Sequence, residues 1–255
     1  MAPVTDPPIR SPGDGLSSQD YVRQRLQPRL RDLNYLHLKD LAELLRQTAS
    51  KTGGEVFDYG CGGAPYRSLF THCKRYVSAD IQPGPAVDKV LQADGTTGEA
   101  DASYDLVLST QVLEHIERPD AYLGECHRIL RPGGQLILTT HGMFEEHGCP
   151  YDFHRWTSRG LEKLLLGARF QVLESCKLTT EMRAYVQLQN QMILHFRCPE
   201  KPLRHLFLAL IRRVYCALGV PCLNWFAERF PQQAIVPASN ASSLYVCVYV
   251  RAVKN

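Results

Sequence analysis

Residues 54–66 read Gly-Glu-Val-Phe-Asp-Tyr-Gly-Cys-Gly-Gly-Ala-Pro-Tyr. A short apolar run ends on an acid, Asp58, and passes into a glycine-rich turn over Gly60, Cys61, Gly62 and Gly63. Glycine has no Cβ, so the backbone there can approach a ligand closely, as it does after the first strand of nucleotide-binding α/β folds. A lone Gly-x-Gly is equally an ordinary tight turn, and the flanks decide. A dinucleotide fingerprint needs Gly or Ala at its sixth position for close helix packing, and this chain has Pro65 there. The spacing therefore disfavours an NAD-type site.

Downstream, short apolar runs alternate with turns and helical stretches, the pattern of repeated strand–helix units. Strands are predicted near 55–59, 75–80, 87–91, 104–109, 134–140, 169–175 and 243–252. They form a Rossmann-like, seven-stranded, mainly parallel α/β sheet with helices on both faces and between most strands. Arg131-Pro132-Gly133-Gly134 reads as a turn ahead of the fifth strand. Upstream, leucines at 26, 30, 33, 38, 41 and 45 keep helical spacing, broken at Pro28 and near Asn34, which predicts two helices that cap the domain. Residues 1–18 are dense in Pro, Gly and Ser and read as a disordered leader, neither signal peptide nor anchor. One domain over 19–255 is expected: N-terminal helices at 19–50, a core at 54–176, a helical insertion at 177–241 and the last strand at 242–253.

The chain has 255 residues with 44% hydrophobic content, enough for one substantial core. A charge of +3, from 29 basic and 26 acidic residues, gives no electrostatic case for nucleic acid. Nine cysteines without a CxxC pair read as free thiols in a reducing, cytoplasmic compartment.

Five stretches in order resemble the class I S-adenosylmethionine-dependent methyltransferase superfamily over roughly residues 54–175. Asp58–Gly62 is similar to its first motif, Ser78–Ile81 to its acidic second-strand end, and Gln92–Gly95 to its adenine-contacting turn. Tyr104–Ile116 and Arg128–Leu136 are similar to the motifs at the fourth strand and before the fifth. The resemblance implies S-adenosylmethionine as cofactor, held by Asp58, Gly60, Cys61, Gly62, Asp80, Ile81, Asp94, Gly95, Ser109 and Gln111. Asp80 would accept from the ribose hydroxyls, Asp94 from the adenine amine, and Ile81 would offer the ring an apolar surface. Asp58 would orient the loop or meet the methionine amino group.

The connection His141–Thr157 gathers three histidines, acids, aromatics and an arginine, with Thr157-Ser158 suited to cap the next helix. Methyl transfer from a sulfonium needs an aligned acceptor and, for a hydroxyl, a base. His147 with Asp152 is the expected base and orienting partner, His115 the rival base, and Arg155 the clamp for an anionic or polyhydroxyl acceptor. The competing reading makes the loop a lid tied by Asp152 and Arg155. His141, His147 and His154 match no standard ligand spacing, so no metal is expected.

Gly60–Tyr66 together with His147–Thr157 resembles a subgroup found in glycan and natural-product assembly, with departures at His141, where proline is expected, and in a more polar 93–103 connection. O-methylation of a small molecule or saccharide is the expected function. The alternatives are a protein methyltransferase and a non-catalytic S-adenosylmethionine-binding scaffold. Ser109-Thr110-Gln111-Val112 lacks the Asn/Asp-Pro-Pro-aromatic grip of enzymes that methylate flipped bases. In the insertion, Leu203, Leu206, Phe207, Leu210, Ile211, Val214 and Leu218 share a helical face, opposite Arg204, His205, Arg212 and Arg213. Its uncharged runs fall short of the roughly 20 residues of a spanning helix. The expectation is that 197–230 covers the acceptor pocket, either packed on the sheet domain or in peripheral contact with a membrane or amphiphilic substrate.

Overall fold

On β1 (Gly54–Tyr59), Phe57 and Tyr59 join one apolar cluster while Val56 joins another on the opposite face. The same alternation runs along β4 (Tyr104–Thr110), β5 (Leu130–His141) and β8 (Tyr245–Lys254). Strands buried on both faces must be apolar at nearly every position, which is why these segments read as continuous runs rather than alternating ones. The computed structural model describes residues 17–193, 202–230, 234–241 and 244–255, without the side chains of residues 202 and 203. Most of the expected leader, residues 197–201 of the expected cap and the Leu203 side chain lie outside the described residues.

The remaining strands are β2 (Cys73–Asp80), β3 (Lys89–Val90), β6 (Phe170–Thr180) and β7 (Ile235–Pro237). Their order is β3-β2-β1-β4-β5-β8-β6-β7, with β8 antiparallel to both β5 and β6. The chain leaves β1 toward one edge through β2 and β3, then restarts at β4 toward the other. The crevice between β1 and β4 is thus the switch point where such sheets bind ligands, beyond the carboxyl ends of the strands.

One face is covered by α2 (Tyr35–Ala49), whose Leu41, Leu44 and Leu45 pack on Val56, Leu106, Leu108 and Ile137. Each such leucine, fully buried, contributes roughly 1.5–3 kcal/mol. The other face is covered by α3 (Pro119–Ile129) and α4 (Ser158–Gly167), through Leu123, Cys126, Ile129, Leu161 and Leu165. Thr157 caps α4, accepting from the Gly160 amide at 3.1 Å as expected. Ahead of α2, α1 (Ser18–Leu26) is capped by Ser17, so the two predicted N-terminal helices are present.

Four expectations need correction. The sheet has eight strands, because the insertion returns the three-residue edge strand β7 against β6. Helices occupy fewer connections than expected: only a 3₁₀ turn, Arg67–Leu69, lies between β1 and β2, and none lies between β2 and β4. Its place on that face is taken by α2, with Tyr66 and Phe70 filling the gap. Arg131–Gly134 lies within β5 as a bulge: pairing with β4 jumps from Leu130 to Gln135 while β4 advances from Tyr104 to Leu106. Finally, β6 runs on to Thr180, so the insertion begins at 181.

The insertion holds α5 (Met182–Met192), α6 (Pro202–Val214) and α7 (Val220–Arg229), with a π-turn, Tyr215–Gly219, fusing the last two into one rod. This rod docks on α2, α5 and the 30–32 turn rather than lying with its stripe on the sheet. Leu206, Phe207, Leu210, Val214 and Leu218 are exposed, which contradicts the core-packing expectation. Within the rod, the 26 residues Arg204–Arg229 are long and apolar enough, by length and composition, to cross a membrane. The sequence-based rejection of a span counted only uncharged runs and missed that the helix continues through Arg212 and Arg213.

Candidate active site

At the end of β1 the chain turns through Gly60 at φ +80° and Gly62 at φ +53°. A Cβ on Gly60 would meet the Val112 side chain at 2.6 Å, so glycine is needed for the turn to lie against the segment after β4. Asp80, at the end of β2, closes the turn: its Oδ2 accepts from the Gly62 amide at 2.8 Å and its Oδ1 from the Gln82 amide at 3.0 Å. A carboxylate has about four lone-pair sites, so room remains for a ribose diol. Beside it, Ile81 is half exposed (49%), an open apolar surface at a strand end. Asp58 is the next-to-last residue of β1. It is fully buried, its Oδ2 accepts from the Tyr76 hydroxyl at 2.7 Å, and its Oδ1 has no partner. Burial pushes its carboxyl up to about 7.

Cys61 lies buried within the turn. Asp94 closes its own turn, accepting from the Thr96 amide at 2.9 Å and hydroxyl at 2.7 Å, which hold it below the usual carboxylate range. Gly95, at φ +84°, presents its carbonyl to the Tyr59 hydroxyl. These residues fit a nucleoside: an orphaned buried carboxylate oxygen, a glycine cradle and an acid at the strand edge. Two expected members are committed elsewhere. Ser109 is buried and accepts from the Tyr122 hydroxyl at 2.9 Å. Gln111, at φ +57°, donates its amide to Thr139 Oγ1 at 3.1 Å.

The second half of the site forms where the 141–157 connection folds onto the 3₁₀ turn Leu113–His115. The amides of Phe153 and His154 donate to the Glu114 carbonyl at 2.8 and 3.2 Å. This brings His115 and His147 edge to face, with ring centres 4.7 Å apart, and His141 within 5.0 Å of His147. The ring Nδ1 of His147 lies 3.1 Å from the Glu145 carbonyl and that of His115 lies 2.6 Å from the Tyr151 carbonyl. A carbonyl only accepts, so each Nδ1 carries hydrogen. Burial, then the neighbouring His115, holds His147 below the ordinary imidazole range, so it is neutral and able to take a proton.

The expected roles of Asp152 and Arg155 change. Asp152 Oδ2 accepts from the backbone amide of His147 at 2.8 Å and lies 3.6 Å from its ring, so it orients His147 mainly through the main chain. Arg155 forks onto both Asp152 oxygens, at 2.7 and 2.6 Å, and donates to the carbonyls of Phe144 and Glu145. Its guanidinium is spent on the loop, which matches the tied-lid reading rather than an acceptor clamp.

Sequence reasoning missed two contributors, His37 and Tyr21, and placed a third, Glu114, near the expected methyl group without giving it a role. Glu114 is fully buried, with Oε2 held by the Thr140 hydroxyl at 2.8 Å and Oε1 3.4 Å from His141 Nε2. Desolvation lifts its carboxyl to about 7. His37, near the start of α2, roofs the cluster 5.5 Å from His141. Tyr21 of α1 lies over the glycine turn, its hydroxyl 2.9 Å from where a Cβ on Gly62 would sit. Only Glu114 carried a signal, its place just past the fourth strand; His37 and Tyr21 arrive through tertiary packing. Among the described residues, Glu114, His115 and His147 have ligand atoms within 4.8 Å of one another and could together hold a metal ion.

Residues 57–138 match the methyltransferase domain family. Among curated relatives, the ubiquinone biosynthesis O-methyltransferase of Pseudomonas aeruginosa (strain LESB58) is 28% identical over 126 residues, 44% of this chain and 53% of that protein. The chain spans about half the length of the curated relatives it matches. Among solved structures, an S-adenosylmethionine-dependent methyltransferase from Thermotoga maritima aligns with a TM-score of 0.54 at 13% identity, covering 93% of this chain and 95% of that one. The [4+2]-cyclase SpnF aligns at 0.52 with 18% identity, covering 85% and 80%. At these identities the structural likeness establishes the fold, and a fold shared with a cyclase does not by itself fix a reaction. The ordered motifs, the switch-point cradle and the family match converge on the same stretch: residues 57–138, which build the cradle strands of a Rossmann-like sheet, match the methyltransferase domain family.

Proposed function

We propose that the chain is an S-adenosylmethionine-dependent O-methyltransferase acting on a small-molecule or saccharide hydroxyl. One observation carries the reading: the glycine–acid cradle and two histidines, each with Nδ1 against a backbone carbonyl, stand at the same end of the sheet, across the switch point. Bound S-adenosylmethionine would supply an electrophilic methyl on a sulfonium with a good leaving group. Asp80 holds the ribose, Ile81 backs the adenine and Asp94 offers its unused oxygen to the exocyclic amine. The orphaned Asp58 Oδ1 suits the methionine ammonium. His147 Nε2 takes the acceptor's hydroxyl proton, and Asp152, close to the ring, steadies the resulting cation.

The curated relative named as an O-methyltransferase of ubiquinone biosynthesis supports a small-molecule hydroxyl as acceptor. A saccharide is the finer alternative, and free thiols suit a cytoplasmic setting. The α6–α7 rod adds a third kind of partner, an amphiphilic surface. The test is methyl transfer from labelled S-adenosylmethionine to separate pools of phenolic small molecules, saccharides and proteins. Label entering the small-molecule or saccharide pool is expected. Label confined to protein, or none despite cofactor binding, would replace this reading with the protein-methyltransferase or scaffold alternative.

A further inference from the structure

The α6–α7 rod turns an apolar stripe outward. A helix packed on a protein turns its apolar stripe inward. Here Leu206 and Leu218 are each 68% exposed, and Phe207, Leu210 and Val214 are exposed between them. Leu208, Ala209, Arg212, Tyr215, Cys216 and Gly219 are half-buried. Leu210, Val214 and Leu218 line an open apolar groove of about 460 Å³, and the apolar exposure continues at Trp225 and Phe226.

The surrounding charge selects what covers this stripe. At 3.6 residues per turn, Arg204 and Arg213 fall roughly 90° to either side of its centre. Among the described residues, no ion pair engages Arg204, Arg212 or Arg213, while Glu228, the acid on the rod, is already paired with Lys39. An apolar stripe bordered by uncompensated arginines matches an anionic bilayer surface, where the side chains enter the acyl boundary and the guanidinium groups stay among the headgroups.

We propose that this rod docks in the plane of an anionic membrane surface, with Leu206, Phe207, Leu210, Val214 and Leu218 as the inserting side chains. The rod lies flat rather than spanning, because its other side is bonded to the body. Asn224 is fully buried, donates to the carbonyls of Leu30 at 2.7 Å and Asp32 at 3.3 Å, and accepts from Asn190 at 2.9 Å. Tyr215 donates to Asn190 at 3.0 Å, and Val220 and Ala227 are fully buried. Spanning would strip these partners from buried amides, each at a cost of about 1–3 kcal/mol. The proposal stands on this surface alone and does not depend on the methyltransferase reading.

The experiment is flotation of the full chain with two kinds of vesicle, phosphatidylcholine alone and phosphatidylcholine mixed with phosphatidylglycerol, run beside light scattering without lipid. Flotation on the mixed vesicles at low salt is expected, with little on phosphatidylcholine alone and release at about 0.5 M salt, where charge is screened within a few ångströms. The double variant Phe207→Ser with Leu210→Ser, both exposed positions that leave the core intact, should float at least tenfold less. No flotation on the mixed vesicles overturns the proposal. So does equal, salt-resistant flotation on both kinds, as does a dimer in solution that the double variant dissolves while neither protein floats.

Discussion

At the scale of single residues, three acids of one chemical type are assigned different tasks by their surroundings. Asp80 keeps its oxygens at the cleft, so removing them should weaken cofactor binding directly. Asp80→Ala is expected to lower S-adenosylmethionine affinity at least tenfold by calorimetry; a change within twofold would misplace the cradle. Asp58 and Glu114 are buried with little compensation, and burial lifts both carboxyls to about 7. A carboxyl raised in the folded state contributes stability that is complete below its unfolded value and is lost as pH rises through the folded one. For Asp58 that window runs from about 4 to about 7. Asn does not titrate and can still accept from Tyr76, so Asp58→Asn should gain on the parent across this window. The gain should be of order 1 kcal/mol per pH unit, read from urea midpoints, and should level off above it. A difference that stays flat with pH would mean that Asp58 is ionised in the fold. For the reaction, His147→Ala should slow turnover roughly 100-fold with cofactor affinity kept, the size of a lost general base. If His115→Ala alone does this, the proton goes to residue 115.

At the scale of elements, the 141–157 connection is held by one buried acid. The Asp152 side chain is 1% exposed and receives two Arg155 donors and the His147 amide, so it ties positions 147 and 155 of the loop together. Arg155→Ala should leave that carboxylate with the His147 amide as its remaining donor, costing about 1–3 kcal/mol locally. Faster amide exchange over residues 144–155 and a drop in turnover are expected, with S-adenosylmethionine affinity little changed. Unaltered exchange would show that the loop stands without the pair. The elements were legible in the sequence where a strand is buried on both faces or a helix is amphipathic, as at β1, β4, β5, α2 and α4. They were not legible where the partner lies far along the chain. The β1–β2 connection forgoes its helix because α2 already covers that face, and β7 is three residues that pair only with a strand some sixty positions earlier. The Arg131–Gly134 turn was read correctly in chemistry, and its place inside β5 depends on pairing with β4.

At the scale of the molecule, the cofactor half of the site could be read because its residues lie on consecutive strand ends, so sequence spacing reports spatial neighbourhood. The acceptor half could be read only in part. His147 and His115 stood out as residues, but Glu114 as a buried carboxylate, His37 as a roof and Tyr21 over the glycine turn come from three elements brought together by folding. The insertion shows the same limit: its stripe was visible, and its outward direction was decided by Asn224 and Tyr215 bonding the other side to the body. The central claim remains that the turn after β1 and the acid after β2 cradle S-adenosylmethionine. Titration calorimetry of the parent chain with S-adenosylmethionine, with NAD as the comparison ligand, tests it most directly. Saturable one-to-one binding of S-adenosylmethionine with no heat from NAD is the predicted result; binding of NAD in its place, or of neither, would contradict the account.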